Sequence, residues 1–170
     1  GISVSFMRGN RDFLVGEQYL KQSGINVLAE PTIVSFGDMR VLLTHGDQYC
    51  TQDKAHQWFR RLTRNTWFTS SFLKVPKQLR LWITRGVRNR SEGKLQRTRQ
   101  MIETVPNAWI QDLQFKQAEV VVHGHTHFPK HEVYALNDGT YQQYVLSDWD
   151  ASPTFLCYSK SKGFYFNQII

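Results

Sequence analysis

Glu119-Val120-Val121-Val122 runs straight into His123-Gly124-His125-Thr126-His127, and this junction decides how the chain folds and what it holds. A short apolar run built from β-branched residues reads as a buried strand. Three of the chain's six histidines fall within the five positions after it. In extended backbone, residues two apart face the same side, so His125 and His127 are expected to present their imidazoles together. Gly124 between them permits close approach of the chain. Neutral imidazole is a good ligand for first-row transition metals.

Two other strand ends carry compatible groups. Val41-Leu42-Leu43-Thr44 delivers His45-Gly46-Asp47, and Ile2-Ser3-Val4-Ser5-Phe6-Met7 alternates like a strand into Arg8-Gly9-Asn10-Arg11-Asp12. An imidazole at His45 and an amide oxygen at Asn10 extend the ligand set. Loops at the strand ends of an α/β sheet converge on one crevice. A set of nitrogen and oxygen donors suits Mn, Fe or Zn rather than Ca.

Between these ends the chain alternates in character. Phe13 to Gln22 reads as a helix stopped by Gly24, Val27-Leu28 as a short strand, and Ile33–Phe36 with Val41–Thr44 as a hairpin around Gly37-Asp38. From Thr51 to about Ile102 the pattern becomes helical, with Trp58, Phe59 and Leu62, then Trp67, Phe68, Phe72 and Leu73, then Leu79, Trp82, Ile83 and Val87 after Pro76. Such stripes either lie on a membrane, cover an apolar ligand, or pack the insert onto the main domain. The C-terminal stretch is all strand: Glu132–Leu136, Tyr141–Leu146, Thr154–Tyr158 and Phe164–Ile169, with turns at Asn137-Asp138-Gly139 and Lys162-Gly163. The fold class is α/β, one domain with a helical insertion.

Bulk properties narrow the partners. With 170 residues and 41% apolar content, the chain can bury a core and is not disordered. No apolar run reaches the ~18–20 residues of a membrane-spanning helix. The two cysteines, Cys50 and Cys157, sit far apart and outside any CxxC pattern, which suits a reducing compartment. Of the 21 Lys and Arg, 13 lie between Lys54 and Arg99 against one acid, Glu92. That block points to an anionic partner: nucleic acid, an acidic membrane surface or a phosphorylated ligand.

Taken together, Gly9-Asn10-Arg11-Asp12, His45 and Gly124-His125-Thr126-His127 resemble the last three signature blocks of the calcineurin-like metallophosphoesterases. With Gly-Asn-Arg-Asp-Phe-Leu, His45-Gly46-Asp47 and Cys50-Thr51-x-Asp53, the chain is similar to the UDP-2,3-diacylglucosamine hydrolase family of lipid A biosynthesis, over nearly its whole length. The resemblance implies a β-sandwich flanked by helices with a helical cap insertion at about 52–102, and makes residues 1–170 the C-terminal part of one metallophosphoesterase domain. It implies two Mn2+ ions in the complete enzyme. Asn10, His45 and His125 would bind one metal and His127 the other. Arg11 would contact the substrate phosphate, and Asn10 and His125 would also face substrate. Asp53, Ser91, and a basic contact near Lys94 to Arg97 match substrate-contacting positions. His56 stands where the family has a cap aromatic.

The family reaction is attack of metal-activated water on the α-phosphorus of UDP-2,3-diacylglucosamine, giving UMP and 2,3-diacylglucosamine 1-phosphate. The expected partners are that substrate and an anionic membrane surface, with no nucleic acid and no obligate protein partner. The expected location is peripheral, on the cytoplasmic face of the bacterial inner membrane. Two alternatives share these residues: a metallophosphoesterase acting on a nucleotide or nucleic acid, and a non-catalytic module retaining the fold. The family's Asp-x-His and Gly-Asp-x-x-Asp blocks, which supply the bridging carboxylate, are absent here. The expectation is a chain lacking the N-terminal part of the fold, holding at most one metal weakly and not turning over at family-like rates.

Overall fold

A computed structural model describes residues 1–93, 103–149 and 153–168, with only the backbone described at 88–93. The architecture is mixed α/β, organised on a five-stranded sheet with strand order β3-β4-β5-β7-β6. These strands are β3 (Thr32–Phe36), β4 (Met39–Thr44), β5 (Val120–His123), β6 (Lys130–Leu136) and β7 (Gly139–Val145). β4, β5 and β7 run parallel, while β3 and β6 close the edges antiparallel. The valine run of β5 is explained by its place. It is paired on both sides and covered on both faces, so polar alternation would strand a polar group in the core.

Successive residues of the central strands feed two cores. On one face Leu42, Val121 and Tyr141 pack against Trp109, Ile110 and Leu113. These come from a helix, α5 (Pro106–Lys116), that among the described residues follows α1 (Glu17–Gln22), α2 (Lys54–Thr63), α3 (Thr66–Lys74) and α4 (Lys77–Gly93). On the other face Val41, Val120, Val122 and Tyr144 meet Leu156, Phe164 and Phe166 from a hairpin, β8 (Thr154–Ser159) and β9 (Gly163–Gln168). Sheet, hairpin and helix together give the layered sandwich expected from the sequence. Burying each of these large side chains contributes about 1.5–3 kcal/mol.

Helix α5 is the element that sequence reading missed. Pro106 occupies its first turn, Trp109 and Leu113 lie four apart, and Gln117 ends it in a left-handed conformation at φ 52°. The Ala118 amide then donates to the Leu113 carbonyl at 2.9 Å. Other bounds shift. The helix expected from Phe13 starts only at Glu17, because Arg8–Val15 is tied into a loop. There the Gly9 amide donates to Asp12, the Val15 amide to the Asp12 carbonyl, and Arg8 Nε to the Val15 carbonyl.

One expectation about topology is corrected. The first strand, β1 (Val4–Met7), does not join the main sheet; it pairs in parallel with β2 (Ile25–Leu28) as a separate two-stranded sheet. The three candidate strand ends therefore do not line one sheet's edge. His45 and Gly124 do, since Thr44 pairs with His123 and the Gly124 amide donates to the His45 carbonyl at 3.2 Å.

The insert also differs from one reading of its stripes. Trp58, Trp67 and Trp82 are 66%, 78% and 72% exposed, so these rings do not pack α2–α4 onto the domain. Among the described residues no helix is long and apolar enough to cross a membrane. Cys50 is buried and Cys157 half-buried, and among the described residues neither is joined in a disulfide.

Candidate metal centre

β4 and β5 end side by side, and the chain leaving each strand turns sharply. Gly46 takes φ 99°, a conformation that costs a side-chain-bearing residue about 1–2 kcal/mol. A Cβ there would stand 2.7 Å from His123 Nδ1, so the close approach also needs glycine. Opposite, the Thr126 amide donates to the Gly124 carbonyl at 2.8 Å, a three-residue turn centred on His125 at φ 64°. His127 follows at φ 61°. Positive φ at non-glycine residues clusters at functional sites, where the surrounding structure holds the strain.

The extended geometry expected for His125 and His127 is thus overturned. Strand pairing stops at His123, the backbone at both later histidines is left-handed, and the two rings take different partners. His125 faces His45 with ring centroids 5.0 Å apart, and His56 from α2 sits 5.0 Å away on another side. His127 is exposed, with Nδ1 3.0 Å from Asp148 Oδ2. Donation from Nδ1 to that carboxylate leaves Nε2 with a free lone pair, the usual support for a metal-binding imidazole.

His123, fully buried, plays a different part. Its Nδ1 donates to the Gly124 carbonyl at 2.9 Å, and its Nε2 accepts from Gln143 Nε2 at 2.7 Å. Gln143 in turn donates to Thr104. Burial pushes the His123 pKa down to about 4, so the ring is a neutral core member.

The His45–His125 pair suits a metal ion. Burial lowers the His45 pKa against the opposing pull of Asp47. Burial pushes His125 down to about 3, with His45 and His56 adding to it. Both rings are therefore neutral and able to donate a lone pair. His45 Nε2 is buried and has no hydrogen-bond partner among the described residues, which a ligand bond would satisfy. Among the described residues no three His, Cys, Asp or Glu side chains converge to complete a metal site. The pair needs oxygen donors from elsewhere, and Asn10 stands next to one point of contact. Buried Gly9 lies so close that a Cβ on it would meet His45 Cε1 at 3.0 Å.

The remaining candidates are placed as follows. Arg11 is exposed beside half-buried Asn10. Asp53 is buried and caps α2, accepting from the His56 amide at 2.9 Å. Ser91 falls in α4 with its side chain not described, and Lys94 and Arg97 lie outside the described residues. Asp47 is 1% exposed and occupied. Burial alone would raise its pKa, but His56 at 3.6 Å and Arg60 at 3.1 Å hold the carboxyl well below the usual carboxylate range. Sequence reasoning missed Glu30, Arg60, Arg64 and Asp148, since ion partners 13 to 34 positions apart leave no local spacing signal.

No family model matches the chain. Curated relatives do. The chain is 37% identical over 150 residues to the UDP-2,3-diacylglucosamine hydrolase of Aeromonas salmonicida, covering 88% of this chain and 59% of the relative. It is 35% identical over 158 residues to that of Aromatoleum aromaticum, covering 92% and 64%, and 39% identical over 150 residues to that of Hahella chejuensis, covering 88% and 62%. The chain spans about three fifths of the length of these relatives. Such identity across almost all of the chain, with the mixed α/β fold described above, makes this chain similar to the UDP-2,3-diacylglucosamine hydrolases over the region it shares with them.

Proposed function

We propose that these residues serve the hydrolysis of the pyrophosphate of UDP-2,3-diacylglucosamine to UMP and 2,3-diacylglucosamine 1-phosphate, a step of lipid A synthesis. One observation carries the proposal: the neutral imidazoles of His45 and His125 meet at adjacent parallel strand ends, with His45 Nε2 buried and, among the described residues, unpartnered. The relatives' name supplies the substrate.

In this reading Asn10, His45 and His125 hold one Mn2+, and His127, oriented by Asp148, serves a second whose other ligands are absent from this chain. When bound, the ions would polarise a phosphoryl oxygen and lower the pKa of coordinated water. The chain's own residues do the rest. Exposed Arg11 offers a planar fork of donors to the phosphate, matching charge that grows in the transition state. Asp53, Ser91, Lys94 and Arg97 contact substrate beneath the cap. The exposed Trp58, Trp67 and Trp82 on a basic insert shelter the acyl chains and seat the protein peripherally on the anionic cytoplasmic face of the inner membrane.

The test is Mn2+-dependent release of UMP from UDP-2,3-diacylglucosamine, run on the 170-residue chain and on the chain extended by the residues encoded upstream. The expected result is turnover by the extended form and little by the 170 residues alone. Hydrolysis of bis(p-nitrophenyl) phosphate with no UMP release would favour a generic phosphodiesterase instead.

A further inference from the structure

Asn10 and His45 follow strands of two separate sheets, so no hydrogen-bonded ladder sets their spacing. One buried carboxylate spans the gap. Glu30 follows β2, and its side chain is 4% exposed. Its Oε1 accepts from Thr44 Oγ1 at 2.7 Å and from the His45 amide at 3.2 Å. Its Oε2 faces Arg60 Nη2 at 3.2 Å and Arg64 Nη2 at 3.5 Å. Arg64 Nη2 also donates to the Arg8 carbonyl at 3.1 Å, at the residue preceding Gly9-Asn10. Arg60 carries the linkage on to Asp47 Oδ1 at 3.1 Å and Gln48 Oε1 at 3.0 Å.

We infer that Glu30 is a positioning residue: its two oxygens, with Arg60 and Arg64 of the insert, fix the Arg8-Gly9-Asn10 loop against the His45 strand end. The inference rests on the proposed ligand roles of Asn10 and His45 for its meaning in catalysis, but not for its geometry. A carboxylate divides these tasks because it accepts four or more hydrogen bonds and faces two cations at once. Both arginines lie on α2 or at its end. Seating of the cap helix and assembly of the two strand ends are therefore one event, and a cap displaced from Glu30 leaves the Gly9 loop untethered.

The experiment uses the 170-residue chain labelled at glycine and histidine. The proximity of Gly9 and His45 gives a nuclear Overhauser effect between the Gly9 Hα protons and His45 Hε1. Glu30→Gln keeps the shape and the acceptor for the His45 amide but removes the charge facing both arginines. The expected result is disappearance of the Gly9–His45 signal while the signal between Gly46 and His123 persists. Arg64→Lys, at a position 23% exposed, is expected to weaken the same Gly9–His45 signal and serves if Glu30→Gln fails to fold. Leu113→Ala, in the core formed by α5 with Leu42 and Val121 and not in contact with Glu30 or the two arginines, should destabilise the protein and leave that signal in place.

A Gly9–His45 signal unchanged in the folded variant would overturn the inference, as would its absence from the parent chain. Disappearance of both signals together in a variant that remains folded, or of the Gly9–His45 signal in folded Leu113→Ala, would also overturn it. A parallel Zn2+ titration separates the two readings. If Glu30→Gln abolishes the Gly9–His45 signal while Zn2+ affinity stays the same, the positioning role stands and the ligand assignment falls. A decrease of about tenfold or more in affinity supports both.

Discussion

Replacing Gly46 by alanine tests whether the strand-end geometry around the two histidines is as tightly set as the structure indicates. Two effects add. Alanine at φ 99° meets a backbone penalty of about 1–2 kcal/mol. The new Cβ would also stand 2.7 Å from Nδ1 and 2.9 Å from Cγ of His123. That ring cannot swing away, because both nitrogens are hydrogen-bonded in a site with no solvent access. Overpacking of this kind costs about 1–3 kcal/mol, so the total is about 2–5 kcal/mol. Gly24→Ala provides the internal control. Gly24 also has positive φ, 69°, but nothing lies within 4 Å of its would-be Cβ, so only the backbone penalty applies. Thermal and urea unfolding of both variants should show Gly46→Ala less stable than Gly24→Ala by about 1–3 kcal/mol. At about 2–4 °C per kcal/mol the gap in Tm is about 2–12 °C. Equal losses in the two variants would refute the close approach of the His45-Gly46 turn to His123.

Three further outcomes are expected. Burial, with Asp47 and Asp53 adding to it, pushes the Cys50 thiol up to about 12 from an ordinary 9.0. Its contribution is complete below pH 9 and falls as pH rises toward 12, by about 1.4 kcal/mol per unit. Alkaline unfolding curves should show that slope, and a thiol reagent at pH 8 should modify Cys50 only on unfolding; prompt labelling of native Cys50 would contradict its burial. Asp148→Ala should shift the His127 ring from the Nδ1–H form toward the Nε2–H form in nitrogen spectra, whereas an unchanged tautomer would remove Asp148 as its orienter. Replacing Trp58, Trp67 and Trp82 together by alanine should change stability by about 0.5 kcal/mol or less per site while cutting binding to anionic lipid vesicles by about tenfold or more; undiminished vesicle binding would exclude these rings as the membrane contact.

How much of this was legible in the sequence depended on whether the signal was local. The valines of β5 announced a buried strand, because burial on both faces admits only apolar residues, and the histidines after them stood out as candidate ligands. The hairpin around Gly37 followed from one glycine with φ 63°. Helix α5 was lost because its buried stripe, Trp109, Ile110 and Leu113, is narrow and exposed Phe115 on the opposite side blurs the helical period. The backbone of His125 and His127 could not be read from spacing, since a strand's alternation lasts only as long as its pairing, which ends at His123. Glu30 was invisible for another reason. Its partners Thr44, His45, Arg60 and Arg64 come from other elements, and a buried carboxylate declares itself only once those elements are packed.

The central claim is that His45 and His125 form half of a metal site. Its most direct test is titration of the nitrogen-labelled 170-residue chain with Zn2+, following the histidine ring nitrogens. The predicted result is uptake of a single weakly held equivalent, with His45 Nε2 and a nitrogen of His125 shifting together and with loss of binding in His45→Ala. Zn2+ binding that leaves both rings unmoved would contradict the claim, as would binding undiminished in His45→Ala.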